Sequence, residues 1–260
     1  MTATPSPELL AALEVLKGLQ RDLRDAGFYT GEIDGKWGSL SAGAWREALQ
    51  AAKLRLEAEV PATVPPLANG RTLAWGKLEN LPAFKGRPGA AEKFRDRIFW
   101  IAEELQMPKT TGPSDLMSCI AWESAETFSA DIKNAAGSGA TGLIQFMPTT
   151  AAGLGTSTAA LARMTPEDQL NYVFKYFRPW KGKLKNLGDL YMAILWPLGV
   201  GKSDSFVLWE KGQRPTTYRQ NAGLDVNRDA KITRGEAVSK VLQKVAKGHQ
   251  PAHLWNEAAS

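Results

Sequence analysis

Met117-Ser118-Cys119-Ile120-Ala121-Trp122-Glu123-Ser124 carries a carboxylate at the end of an apolar run. If that run is a helix and a later loop folds back on it, Ile120, Trp122, Ile144, Phe146 and Met147 surround Glu123. A carboxyl in such a pocket is desolvated and its pKa rises. A Glu that keeps its proton at neutral pH is what cleavage of a glycosidic bond asks of its general acid. The glycines from Gly137 to Gly142 let backbone come close to a bulky ligand. Gln145 then offers both a donor and an acceptor, suited to the acetamido and hydroxyl groups of a sugar. Two other acids lie near. Glu126 is one turn beyond Glu123 and is either a second carboxylate or, like Asp131, a solvated surface acid.

The rest of the composition leaves few other chemistries. Cys119 is the single cysteine, which excludes an internal disulfide and a Cys-based metal cluster. It reads as a small buried hydrophobe. His249 and His253 are the only histidines and sit near the C-terminus, poorly placed for a Ser-His-Asp triad or a His-ligated zinc. Catalysis is therefore expected from carboxylates, hydroxyls and backbone groups, and no cofactor is expected. The 260 residues are 43% apolar and 23% charged, with a formal net charge of +5, ordinary values for a globular protein with a basic surface. Such a surface suits a polyanion, either nucleic acid or a carboxylate- and phosphate-rich bacterial envelope. No nucleic-acid-binding motif is present. No apolar run reaches the roughly 18 residues that span a bilayer, so stable membrane insertion is not expected. The start, Met1-Thr2-Ala3-Thr4-Pro5, lacks the basic and apolar regions of a secretory signal.

The residues around Glu123 resemble the lytic transglycosylases, which share a fold with goose-type lysozyme. That family's signature is Glu-Ser, then Gly-Leu-Met-Gln, with Pro and Thr-Ala soon after. This chain has Glu123-Ser124, Gly142-Leu143-Ile144-Gln145, Pro148 and Thr150-Ala151; Ile144 replaces the usual Met. The family's Ala-Tyr-Asn segment has its counterpart in Leu190-Tyr191-Met192-Ala193, without the Asn. The resemblance covers roughly residues 92 to 200. It implies a lysozyme-like domain in which Glu123 is the catalytic acid, with Ser124, Gln145, Met147 and Tyr191 as substrate contacts. Gln145 and Tyr191 each have a structural alternative, as a buried amide satisfying backbone and as a core aromatic.

Before this domain stands Gly27-Phe28-Tyr29-Thr30-Gly31, then Ile33-Asp34-Gly35-Lys36-Trp37-Gly38, preceded by Leu19-Gln20. This resembles the small helical peptidoglycan-binding domain of wall hydrolases. Phe28, Tyr29, Asp34 and Trp37 are its candidate ligand residues. Aromatic rings stack on sugars and apolar peptide stems, and Asp34 can accept from turn amides. The alternative is that the glycines and Asp34 serve only the turns.

The elements that must position these residues are helical. Leu9, Leu10, Leu13, Val15, Leu16, Leu19 and Leu23 repeat at helical spacing. A second helix begins near Ser39 or Ser41 and carries Ala44, Trp45, Ala48 and Leu49. Residues 55–90 hold Pro61, Pro65, Pro66, Pro82 and Pro88 and read as a linker, with Trp75, Leu78 and Phe84 laid along a surface. Further on, Phe94, Ile98, Ile101, Ala102 and Leu105 form a stripe, and Leu116, Ile120 and Ala121 start another. Thr165-Pro166-Glu167-Asp168 is a strong helix start, followed by Leu170, Val173, Phe174 and Phe177 at helical spacing. The expectation is an all-α protein: a peptidoglycan-binding domain over residues 1–54, a linker over 55–90 and a lysozyme-like catalytic domain over 91–260.

Asp225 to Glu236 scans as a calcium loop, with Asp225, Asn227, Asp229 and Glu236 at ligand places, but Ala230 stands where Gly is usual. Thr233 and Glu236 equally make a capping box for a following helix. The layout resembles a phage endolysin. It implies a monomer made in the host cytoplasm that reaches the periplasm through a holin-made lesion and cuts peptidoglycan there. The alternatives are a virion-associated lysin, a lysozyme-type muramidase, and a non-catalytic peptidoglycan-binding structural protein.

Overall fold

The computed structural model describes residues 7–36, 38–44, 47–48, 70–135 and 137–259. Trp37, Trp45, Leu49 and the stretch 51–69 lie outside the described residues, as do the side chains of Leu9, Leu10 and Val15. The chain divides into two compact units, Met1–Pro61 and Ala62–Ser260. The protein is mainly helical, with two small antiparallel sheets of two strands each among the described residues. No helix among the described residues is long and apolar enough to cross a membrane.

In the first unit, helix α1 (Pro7–Asp25) ends where Gly27 turns at φ 80°, a left-handed conformation that favours glycine. The Phe28 and Tyr29 amides then donate to the Leu23 carbonyl at 2.8 and 3.1 Å. Leu23, Tyr29 and Ala44 form the core, with Phe28 and Ala48 packed against it. Gln20 is fully buried. Its amide nitrogen donates to the Tyr29 hydroxyl, Asp34 Oδ1 and the Lys36 carbonyl. Its carbonyl oxygen accepts from the Gly35 amide at 2.8 Å. One buried amide thus satisfies a turn that has no secondary structure of its own.

The second unit is built around α3 (Gly112–Glu123), in which residues 112 to 121 are all buried. A helix without a solvent face must be covered on every side. It packs against α2 (Ala90–Glu104), α7 (Leu187–Leu195) and α9 (Arg234–Gly248). Helix α6 (Pro166–Phe177) packs on α2. It starts as the sequence predicts, with the Thr165 hydroxyl accepting from the Asp168 amide at 3.2 Å. Short helices α4 (Pro148–Gly153), α5 (Thr158–Leu161) and α8 (Pro215–Gln220) connect them.

Residues 70–90 differ from the expected linker. Leu73 and Leu78 are fully buried, as nearly are Trp75 and Phe84, and Phe84 packs edge-on to Phe94 at 5.3 Å. Strand β1 (Thr72–Leu73) pairs with β4 (Trp255–Asn256), and the Arg71 guanidinium binds Glu257 at 2.7 Å. The prolines break helix without preventing burial, so this segment belongs to the core of the second unit. The other sheet pairs β2 (Val207–Glu210) with β3 (Lys231–Thr233), placing Trp209 opposite Ile232.

Candidate active site

Glu123 is the last residue of α3 and is half-buried. Burial alone pushes its carboxyl up to about 8; no neighbouring charge adds to the shift. Desolvation penalises the charged form, so this carboxyl is protonated at neutral pH. Its negative form in turn acts on two phenols. Tyr191, on α7, is 2% exposed; burial first and the Glu123 charge second push it above the usual tyrosine range, and the Trp122 side chain donates to its hydroxyl. Tyr176, on α6, is raised to about 12 by the same two causes in the same order. Its hydroxyl donates to the Ala193 carbonyl at 2.7 Å, and its ring meets Phe146 edge-on. Cys119 is fully buried, and its thiol is pushed well up by burial, then by the Glu123 charge. Three helices therefore bring a half-buried acid and two tyrosines together.

The stretch after α3 is sharply bent. Ala125, Glu126 and Phe128 all have positive φ, at 49°, 66° and 51°. Ser124 holds this bend. It is fully buried, donates to the Ile120 carbonyl at 2.7 Å and accepts from the Phe128 amide at 3.1 Å. The expected substrate contact at Ser124 is thus corrected: a hydroxyl closed off from solvent and engaged on both sides does not reach a sugar. Glu126 is neither a second catalytic acid nor freely solvated, because Lys244 and Lys247 both bind its carboxylate. Burial would raise it, but the two lysines outweigh burial and hold it below the usual range. Asp131 is exposed and accepts from the Ser129 hydroxyl at 2.5 Å.

The glycine-rich loop returns as a tight hairpin. Thr141 and Phe146 exchange backbone hydrogen bonds at 3.1 and 2.9 Å. Between them, Gly142 has φ 85° and Gln145 φ 52°. Fully buried Gln169, on α6, braces the loop: it accepts from the Leu143 amide at 2.7 Å and donates to the Ala130 and Leu161 carbonyls at 3.0 Å each. A Cβ on Gly142 would overlap this amide, which is why the position takes glycine. The Gln145 side-chain nitrogen donates to the Gly142 and Ile132 carbonyls at 3.1 and 3.3 Å. Its nitrogen serves the loop. Met147 caps α4 and is 44% exposed.

Tyr176 and Gln169 are the site residues that sequence reasoning misses. The only signal for either was its place in the helix that Thr165 starts. A cleft of about 450 Å³ between the 84–89 turn and the start of α2 is lined by Arg87, Glu92 and Arg95 and does not include Glu123.

In the first unit, a cleft of about 320 Å³ is lined by Tyr29, Glu32, Asp34, Lys36, Leu40 and Ser41. Tyr29 is 6% exposed and its hydroxyl donates to the Glu32 carbonyl at 2.8 Å. It is a core residue whose edge closes the cleft, which corrects its expected role as a stacking platform. Phe28 is half-buried against the same core. Asp34 accepts from the Lys36 amide at 2.9 Å and from Gln20, and these bonds hold its carboxyl below the usual range. Leu40, exposed on the cleft rim, is a feature the sequence does not single out. Trp37 lies outside the described residues.

The Asp225–Glu236 loop is held by its own backbone. Asp225 Oδ2 accepts from the Tyr218 hydroxyl and the Ala230 amide. Asn227 Oδ1 accepts from the Asp229 amide, and Asp229 Oδ1 from the Lys231 amide. Glu236 reaches the Val226, Asn227 and Thr233 amides and forms the capping box of α9 with Thr233. Ala230 takes φ 68° where glycine is usual. No group of three His, Cys, Asp or Glu side chains is placed to hold a metal ion among the described residues.

No protein-family model matches the chain, and no curated protein matches it.

Proposed function

We propose that the protein cleaves the β-1,4 bond between N-acetylmuramic acid and N-acetylglucosamine in bacterial peptidoglycan, as a lytic transglycosylase. The observation that carries this is a single carboxyl, Glu123, kept protonated at neutral pH by burial with no second acid contributing to its shift. Hydrolases of either stereochemistry ordinarily use two carboxylates flanking the bond. One suffices if the substrate supplies its own nucleophile. Glu123 gives its proton to the leaving glycosidic oxygen as the C1–O bond breaks. Its carboxylate then takes the proton of the muramoyl C6 hydroxyl, whose oxygen closes onto C1. The products are a free N-acetylglucosamine 4-hydroxyl and a 1,6-anhydromuramoyl end, and Glu123 is again protonated. Tyr176 and Tyr191 lie near enough to Glu123 to feel its charge, and Gln145 is the proposed sugar contact. The first unit, with the cleft beside Asp34 and Leu40, holds the wall. The signature residues and the binding-module-first order support an endolysin acting in the periplasm after holin-mediated release.

Mass spectrometry of digested walls tests the chemistry. Anhydro-muropeptides that borohydride leaves unchanged are expected, and Asp131→Asn should digest at the parent rate. Reducible muramic ends, with activity lost in Asp131→Asn, would instead establish a hydrolase. A second measurement addresses the first unit. Without residues 1–61 the protein should pellet poorly with purified walls yet still cut short soluble fragments, since a tethered module raises the local concentration of the active site at an insoluble substrate. Equal pelleting of the two forms would remove the binding role.

A further inference from the structure

We propose that Glu126, pinned between Lys244 and Lys247, is a positioning residue that fixes the bend on which α3 ends and so holds Glu123 in its desolvated seat. The proposal rests on Glu123 being the catalytic acid. Glu123 is followed at once by a bend in which three non-glycine residues occupy the left-handed region, a conformation that persists only where the surroundings over-determine it. Glu126 sits within that bend. Its amide donates to the Ala121 carbonyl at 2.7 Å, tying it back to α3, while its carboxylate ties it to two lysines one turn apart on α9. The lysines are themselves anchored. The Trp75 indole donates to the Lys244 carbonyl at 2.8 Å, and the Lys247 ammonium lies over the Trp75 ring. Trp75 in turn packs on Phe128, the far end of the bend. A closed ring of contacts thus runs from the bend to α9 and back. The groups facing Glu123 are Cys119 on its own helix, Tyr176 on α6 and Tyr191 on α7. The lysines act on Glu126 and contribute nothing directly to Glu123. If the clamp opens, the bend relaxes and water reaches the Glu123 carboxyl.

The test is the titration of Glu123 followed by carbon NMR on Glu-labelled protein, assigned with Glu123→Gln. In Lys244→Met/Lys247→Met the Glu123 pKa should fall by at least about one unit as it becomes hydrated. Direct electrostatics predicts the opposite sign, because Glu126 would be left as an unneutralised negative charge near it. Lys244→Arg/Lys247→Arg should restore the parent titration. Glu126→Gln, which removes the same ties with one substitution, should also lower the Glu123 pKa and reduce kcat roughly tenfold at unchanged KM, as misplacement of a reacting group does. A Glu123 titration that is unchanged or raised in the double Met variant overturns the proposal. Because the NMR readout needs no turnover, it separates failure of the clamp from failure of the catalytic assignment.

Discussion

Glu123→Gln is expected to keep the fold, abolish wall lysis and make the protein more stable at neutral pH. Loss of a general acid removes at least about 100-fold in rate. The stability gain follows from the titration. The Glu123 carboxyl rises from its ordinary 4.5 to about 8 on folding. Between those two values the unfolded chain has released a proton that the folded protein still holds. Folding therefore becomes less favourable as pH rises through this window, and the full penalty applies above about 8. Each unit is worth about 1.4 kcal/mol. Glu123 keeps a partial opening to water, which lowers the penalty to the order of 2–3 kcal/mol at pH 8. Glutamine carries no charge and escapes it. Thermal unfolding at pH 8 should place Glu123→Gln above the parent, with the gap closing toward pH 4. A folded Glu123→Gln protein that still lyses walls would end the catalytic assignment, and an equal melting shift at both pH values would end the account of the raised pKa. If Glu123 is the general acid, the same titration predicts wall lysis that declines as pH climbs past about 8.

Gly142→Ala is expected to be the most damaging single-methyl change in the second unit. It fails on two counts that add. The backbone sits at φ 85°, where an L side chain costs roughly 1–2 kcal/mol. The new methyl also displaces the Gln169 amide. That amide satisfies the Leu143 N–H and two carbonyls in a fully buried place, and a buried group left unpaired costs about 1–3 kcal/mol. A loss of roughly 2–5 kcal/mol follows from these two terms. Denaturant unfolding measures it directly. Gln145 is three residues on and bonds back to the Gly142 carbonyl, so residual activity in the folded fraction should fall as well. A variant within about 1 kcal/mol of the parent would show that the loop yields without cost and that Gln169 is not its brace.

What the sequence reveals of this site is what lies contiguous in it. Glu123 in its apolar run and the glycines before Gln145 can be read directly, because a helix end and a tight loop are specified by neighbours in the chain. The amphipathic helices are legible for the same reason, and so is the capped start at Thr165. Tyr176 and Gln169 are not. Each looks like an ordinary member of a helix until the fold brings Tyr176 near Glu123 and Gln169 against the glycine-rich loop. Ser124 stands next to the acid and yet serves the backbone, because a serine four residues past a helical carbonyl can turn inward and bond it. The 70–90 stretch misleads for a different reason. Its prolines report what the backbone is unable to do, while Leu73, Leu78 and Phe84 are buried by partners such as Phe94 and the strand at Trp255 that lie elsewhere in the chain.

The pairing of β1 with β4 also constrains how the second unit comes into being. Arg71 and Glu257 are 186 residues apart in sequence, so the contact that fastens them closes a loop spanning almost the whole unit. Closing such a loop costs chain entropy that only the finished core repays. It also raises the mean separation of contacting residues, which slows folding. On the ribosome, a nascent chain that has already exposed Glu123 and its helix still lacks the partner for Leu73 until Trp255 emerges. Adjacent ends also mean that the unit is ring-like in its connectivity. A short peptide joining residue 70 to residue 259, with a new opening cut in an exposed turn, preserves every contact described around Glu123.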